Sequence, residues 1–220
     1  MKKTARSYLI RRVEGLAGAD DIHRLPALAI DCFRPESSSH RPSTSLRLWH
    51  DAHCVRGQFQ VDDRFVRCRH SGFQQPVYKD SCVELFLQPK PQGGYFNFEF
   101  NAGGALLVYW IEDPTREGQG FRRYRVLSDA ECARIQVVSS LPARIDPEID
   151  GPLPWSLSFG IPVALLERYA GPIGNVAGQC WRGNAYKCGD ETSHPHWASW
   201  APIDRLDFHS PDCFGAFVFE

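Results

Sequence analysis

From Leu46 onward the chain alternates short apolar or period-two runs with turn residues, the pattern of an all-β domain. It predicts strands at Leu46–His50, Val55–Val61, Phe65–Arg69, Cys82–Gln88, Tyr95–Asn101 and Leu106–Ile111. Further strands are predicted at Arg134–Ser139, Trp155–Pro162, Cys180–Lys187 and Gly215–Phe219. Residues 112–123 and 140–154, rich in Gly, Pro and charge, read as loops. One short helix is predicted at Val163–Tyr169, directly after Pro162, and another near Asp20–Leu28. Residues 1–45, including the polar run ESSSHRPSTS, read as an irregular lead-in that packs on or flanks a domain spanning 46–220. The expected fold is an antiparallel β-sandwich with one or two short helices.

The most informative stretch is VYKDSCVELFLQPKPQGGYFNFEFNAGG. Val83, Leu85 and Leu87 alternate with Cys82, Glu84, Phe86 and Gln88. Phe96, Phe98 and Phe100 alternate with Tyr95, Asn97, Glu99 and Asn101. Each strand therefore has one apolar and one mostly polar face. The PKPQGG link suits a hairpin. Symmetric pairing about it sets Val83 against Phe100, Leu85 against Phe98 and Leu87 against Phe96. The same register opposes Glu84 to Glu99. Like charges across a pair are destabilising, so the carboxyls need a cation, a basic side chain, a shared proton or a hydrogen-bonding ligand, or else must splay into water. Arg182, on a predicted strand with Asn184 and Tyr186 sharing its face, is a candidate partner, as are Lys79 and Lys187.

Composition narrows the field. A chain of 220 residues with 43% hydrophobic and 12% aromatic residues can bury a core without disulfide or metal staples. Its net charge of −1 gives no reason to expect a nucleic-acid or anionic-membrane partner. The opening MKKTARSYLIRRVEG has an apolar stretch too short for a signal peptide, and no run is long enough to span a membrane, so a cytoplasmic location is expected. The eight cysteines form no C-x-x-C pair and are expected to be reduced, mostly buried thiols. Spacings such as His194-x-His196 and His209-x-x-x-Cys213 lack the paired ligand knuckles that would predict zinc. Cys82 reads as a half-buried, inert thiol. No G-x-S-x-G elbow, Gly-rich phosphate loop or H-E-x-x-H motif is present, and carboxyls opposed on a hairpin lie closer than the ~5–9 Å of glycosidase pairs. The chain therefore reads as a binding domain, with oligomeric state left open.

YKDSCVELFLQP followed by GYFNFEFN resembles the carbohydrate-binding module family 9-like domains, within the wider DOMON-like sandwiches. WRGNAYKCGD, HPHWASWAPI and the closing DFHSPDCFGAFVFE extend the resemblance over roughly residues 46–220. The resemblance implies a non-catalytic domain that binds a saccharide or another small polar ligand between two aromatic side chains. By motif position these correspond to Tyr78 and Phe208, both tryptophan in the sugar-binding members. An arginine that contacts sugar there corresponds to Glu99 here. Calcium is implied as a family feature, with no ligand set assigned in this chain. The expected ligand-binding residues are Tyr78, Asp80, Glu84, Glu99, Asn101, Arg182, Asn184 and Phe208. Large aromatics such as Trp181 and Trp200 are expected in the core, with Trp197 on a loop. Two other readings stand beside this one. A scaffold domain that has lost its sugar site would have a shallow face with Tyr78 and Phe208 buried. A metal- or haem-related domain could not use a Met/His axial pair, because the single methionine is Met1, but ligation by histidine alone stays open.

Overall fold

The computed structural model describes residues 6–13, 19–51, 53–118 and 120–220. Met1 and the rest of the basic opening stretch 1–5, as well as residues 14–18 of the lead-in, lie outside them. In chain order the strands and helices begin with β1 (Ser7–Arg12), α1 (Ala19–Arg24), β2 (Leu28–Ala29), β3 (Cys32–Phe33) and β4 (Ser43–His50). Next come β5 (Cys54–Cys68), β6 (Cys82–Gln88), β7 (Tyr95–Asn101), β8 (Leu106–Glu117) and β9 (Gly120–Val126). The chain continues through α2 (Asp129–Cys132), β10 (Gln136–Ser139), β11 (Ile145–Pro162) and α3 (Val163–Ala170). It ends with β12 (Cys180–Cys188), β13 (Trp197–Ser199) and β14 (Gly215–Phe219).

The strands form two layers. The back layer runs β10-β11-β5-β4 and the front layer β14-β12-β6-β7-β8-β9, with β1 joining them. Ser7–Ile10 of β1 pair in parallel with Ala216–Phe219, and Arg11 and Arg12 then pair with Trp49 and His50 of β4. Apolar alternation drives the packing between layers. Val83, Leu85, Leu87, Phe96, Phe98 and Phe100 from the front meet Leu46, Leu48, Phe59, Leu157 and Phe159 from the back, all buried. The Phe100 and Phe159 rings stack across the gap with centroids 5.3 Å apart. Trp181 and Trp200 also fill this core.

Several expectations change in detail. The lead-in is not irregular throughout: β1 is a structural bridge, β2 pairs with β4, and β3 pairs with β13. The early helix stops at Arg24, and Leu28 is already strand. Among the described residues the α-helices number three, because Ser128 and Glu131 cap the single turn of α2 reciprocally. The two strands expected at 55–61 and 65–69 are one strand, β5, whose pairing with β11 shifts register between Asp150 and Leu153 instead of breaking. Residues 145–154, expected as loop, form the first half of β11. There β10 offers no partner beyond Leu157, so the stretch is an edge that tolerates Pro147, Pro152 and Pro154. Likewise 112–117 and 120–123 are not loop. Past Ile111, β8 leaves β7 and pairs only with β9, making a charged two-stranded ribbon turned at Gly118 (φ 58°). This ribbon overhangs the outer face of the front layer.

Candidate functional site

Residues i and i+2 of a strand share a face, so the positions alternating with the core side chains point outward from the front layer. On β6 these are Cys82, Glu84 and Phe86; on β7, Tyr95, Asn97 and Glu99; on β12, Tyr186 and Cys188. This face does not meet solvent directly. The turn at Val77–Lys79, the segment 189–197, the segment 201–214 and the β8–β9 ribbon surround it and leave a cleft of about 680 Å³.

Glu84 and Glu99 stand directly opposite one another at the floor, in the predicted register. They are 3% and 5% exposed, so they do not splay into water. Nor, among the described residues, does a basic side chain form an ion pair with them. The Cys188 thiol lies 3.2 Å from Glu84 Oε1 and donates to it. Asn97 Nδ2 donates to Glu99 Oε1 at 2.7 Å, while Asn97 Oδ1 accepts from the Tyr109 amide. Glu99 Oε2 is buried with no hydrogen-bond partner. Burial, reinforced by the opposing Glu99, holds the Glu84 carboxyl well above the usual carboxylate range. Burial, with the Asp190 carboxylate nearby, raises Glu99 to about 7. Asp190 accepts from Trp197 Nε1 at 2.7 Å and is itself lifted by burial to about 6. The floor is thus an acidic patch that keeps protons because burial outweighs the more distant Arg116 charge.

Aromatic side chains form the walls. Tyr78 is 37% exposed on its turn. Phe208 is half-buried; its ring stacks on Tyr186 at 4.1 Å, and its carbonyl accepts from the Tyr186 hydroxyl. Tyr109 and Tyr124 pack at 5.3 Å, and Arg116 lies 4.3 Å over the Phe121 ring. Arg116 and Arg205 both pair with Asp207 at the rim. His209 sits 2.9 Å from the Tyr95 hydroxyl, and burial depresses its pKa far below the ordinary histidine value, which keeps it neutral.

The eight residues expected at the site divide evenly. Tyr78, Glu84, Glu99 and Phe208 come together around the cleft. The other four do not line it, because their polar atoms fasten the surrounding segments. Asp80 Oδ2 accepts from the amides of Arg69 and His70 and from Asn101 Nδ2, and its carboxylate lies 3.4 Å from Arg67. Asn101 also donates to the His70 carbonyl and accepts from Ala105. Arg182 donates to the Pro211 carbonyl at 2.7 Å instead of reaching the glutamates. Asn184 bonds both the amide and the carbonyl of Ala201. Asp80 and Asn101 thus fix the base of the Tyr78 turn, and Arg182 and Asn184 tie down the segment that carries Phe208.

The remaining expected partners are also engaged elsewhere. Lys79 pairs with Glu191 at 2.8 Å, and Lys187 lies behind the sheet against Asp63 and His196. Sequence reasoning missed Tyr109, Arg116, Tyr124, Asp190, Asp207 and His209. Tyr109 was legible as the alternate of Val108 and Trp110, whereas the ribbon residues were not, since their stretch reads as loop. Cys82 is fully buried, not half-buried, and burial raises its thiol to about 12. Four of the eight cysteines are buried, and all are free thiols.

Among the described residues, one cluster of close donors could hold a metal: Cys82, Glu84 and Cys188. Two thiols and a carboxylate are not the oxygen cage that calcium takes, so this set does not fit that ion. A shallow face with Tyr78 and Phe208 both buried would have favoured the scaffold reading, and both instead line a cleft.

Residues 15–219 match the model of Carbohydrate-binding family 9. Among curated proteins none matches the sequence. The crystal structure of a candidate carbohydrate-binding protein from Bacteroides uniformis is similar at 29% identity, with a TM-score of 0.87, over 99% of this chain and 100% of that one. A carbohydrate-binding module of family 9 from Caldicellulosiruptor kristjanssonii, solved with glucose, shares the fold at 11% identity and a TM-score of 0.64, over 98% of this chain and 96% of that one. The cellotriose complex of a family 9 module from the same organism aligns at 10% identity and a TM-score of 0.65, over 98% and 94%. With a family model spanning nearly the whole sequence, the chain belongs to carbohydrate-binding family 9.

Proposed function

We propose that the chain binds a saccharide in the cleft above Glu84 and Glu99 and catalyses no reaction itself. The observation that carries this reading is the pairing of aromatic walls with a buried, under-bonded polar floor. Tyr78, Tyr109, Trp197 and Phe208 offer flat apolar faces suited to the C–H faces of a pyranose ring. Beneath them, Glu99 Oε2 has no protein partner, and a sugar hydroxyl donating to it would satisfy a group whose isolation is costly. Stacking would supply affinity and the carboxyl–hydroxyl bonds orientation. The Caldicellulosiruptor modules were solved with glucose and cellotriose, which are therefore the first probes to use.

Isothermal titration calorimetry of the purified chain against a saccharide panel containing both sugars tests the proposal. One ligand should bind saturably, and Glu84→Gln should weaken it by roughly 10- to 100-fold, the loss of one or two buried hydrogen bonds. Thermal unfolding of the variant should show that it remains folded. Absence of heat with every saccharide, or unchanged affinity in both Glu84→Gln and Glu99→Gln, would refute it.

A further inference from the structure

The two strands that carry the cleft floor bring together side chains that lie far apart in the sequence. The antiparallel register of β6 and β12 places Cys82 directly opposite Cys188. Glu84 follows two residues after Cys82 and so projects from the same face. The two sulfurs and a carboxylate oxygen all lie within 4.8 Å of one another, and Cys188 Sγ is 3.2 Å from Glu84 Oε1. All three residues are buried, at 0%, 1% and 3% exposure for Cys82, Cys188 and Glu84.

We propose that Cys82, Glu84 and Cys188 form a binding site for a divalent cation of the zinc class, set into the floor of the cleft. The donor set selects the metal. Two thiolates with one carboxylate suit zinc and its chemical relatives, whereas calcium and magnesium take oxygen alone. Zinc bonds of about 2.3 Å to sulfur and about 2.0 Å to oxygen put neighbouring ligand atoms about 3.3–3.8 Å apart in a tetrahedron. The present cluster, with its ligand atoms within 4.8 Å of one another, lies close to that spacing.

A second observation points the same way. Directly across from Glu84, Glu99 is 5% exposed and its Oε2 has no partner. The nearby basic side chains are committed elsewhere: Arg116 and Arg205 to Asp207, Lys79 to Glu191, and Lys187 to Asp63. A dication would supply the positive charge that this floor lacks. The route in is from the cleft, since Glu84 and Cys188 line it, with Cys82 beside them on the same face. Three protein ligands leave a fourth position on the cleft side, for water, for Glu99 or for a hydroxyl of a bound ligand. On coordination each thiol and the Glu84 carboxyl give up their protons to solvent, and the groups bind as thiolates and carboxylate.

The test uses the full chain, reduced and stripped of metal by chelation, titrated with Co²⁺ as a spectroscopic probe and then with Zn²⁺. The expected result is a thiolate-to-cobalt charge-transfer band that saturates at one equivalent and is displaced by one equivalent of zinc. X-ray absorption at the zinc edge should count two sulfur neighbours at about 2.3 Å, a readout that needs no variant. Cys82→Ser and Cys188→Ser should each weaken binding at least tenfold, while Cys180→Ser, on the exposed end of β12, should leave it unchanged. Absence of the band, fewer than two sulfur neighbours, or full affinity in the Cys82→Ser/Cys188→Ser double variant would overturn the proposal. Calorimetry with saccharide in the presence of chelator separates this outcome from the preceding one, because sugar binding that persists without metal leaves the proposed function standing whatever the cobalt titration shows.

Discussion

Glu99 couples the cleft to pH. In an unfolded chain its carboxyl titrates near the ordinary 4.5; folded, burial first and Asp190 second raise it to about 7. Between those values the folded protein holds a proton that the unfolded chain has released. The stabilisation from this proton is complete below about pH 4.5 and is lost as pH rises through 7. Gln at this position stays neutral throughout and keeps an oxygen to accept from Asn97. Urea unfolding of Glu99→Gln and the parent at pH 5 and pH 8 should therefore show the variant gaining relative stability at the higher pH, by roughly 2 kcal/mol. A difference that does not change with pH would mean that the carboxyl is not held protonated by its surroundings. Lysine or arginine beside the pair would have abolished this behaviour, and the structure sends each candidate elsewhere for a specific backbone or carboxylate partner.

At the scale of elements, β1 shows how a short segment can be decisive while carrying little signal in the sequence. Its alternation, Tyr8 and Ile10 inward with Ser7, Leu9 and Arg11 outward, covers only six residues and is flanked by arginines. Ile10 is wholly buried between the layers and Leu9 is 39% exposed. Ile10→Ala should cost about 2–4 kcal/mol in chemical denaturation, against less than about 0.5 kcal/mol for Leu9→Ala. Equal effects would show that β1 is not packed as described. The central hairpin was legible for the opposite reason. Seven-residue strands with strict alternation and a Pro-Gly-rich link leave one register that buries every phenylalanine. The ribbon at 112–123 and the first half of β11 were not legible. Edge and overhanging strands bury little, so charge and proline are tolerated there and the period-two signal is lost.

The cleft is a property of the whole molecule. Its floor comes from β6, β7 and β12, and its walls from one turn, two segments and a ribbon that approach from different parts of the chain. For that reason the sequence revealed the two glutamates as a pair but not what surrounds them. It also could not show that half of the expected polar residues secure the walls. Asp80 and Arg182 are the clearest cases: each is placed by alternation on or beside the right face, and each spends its hydrogen bonds on backbone atoms of a neighbouring segment. Cys82 and Cys188 are the reverse case, since nothing in their spacing announces a pair and only the β6–β12 register brings them together.

The parallel pairing of β1 with β14 also bears on how the domain responds to tension. Ser7–Ile10 and Ala216–Phe219 run side by side in the same direction, so a pull applied at Arg6 and Glu220 slides one strand along the other. The rungs between them then resist together in shear, whereas a pull at the ribbon tip near Gly118 opens β8 and β9 from the sheet edge one rung at a time. Single-molecule stretching from Arg6 and Glu220 should accordingly require a higher rupture force than stretching from Gly118 and Glu220. Equal forces would mean that the terminal pair does not bear the load. With the higher force, the strand that joins the two layers also acts as the domain's mechanical clamp.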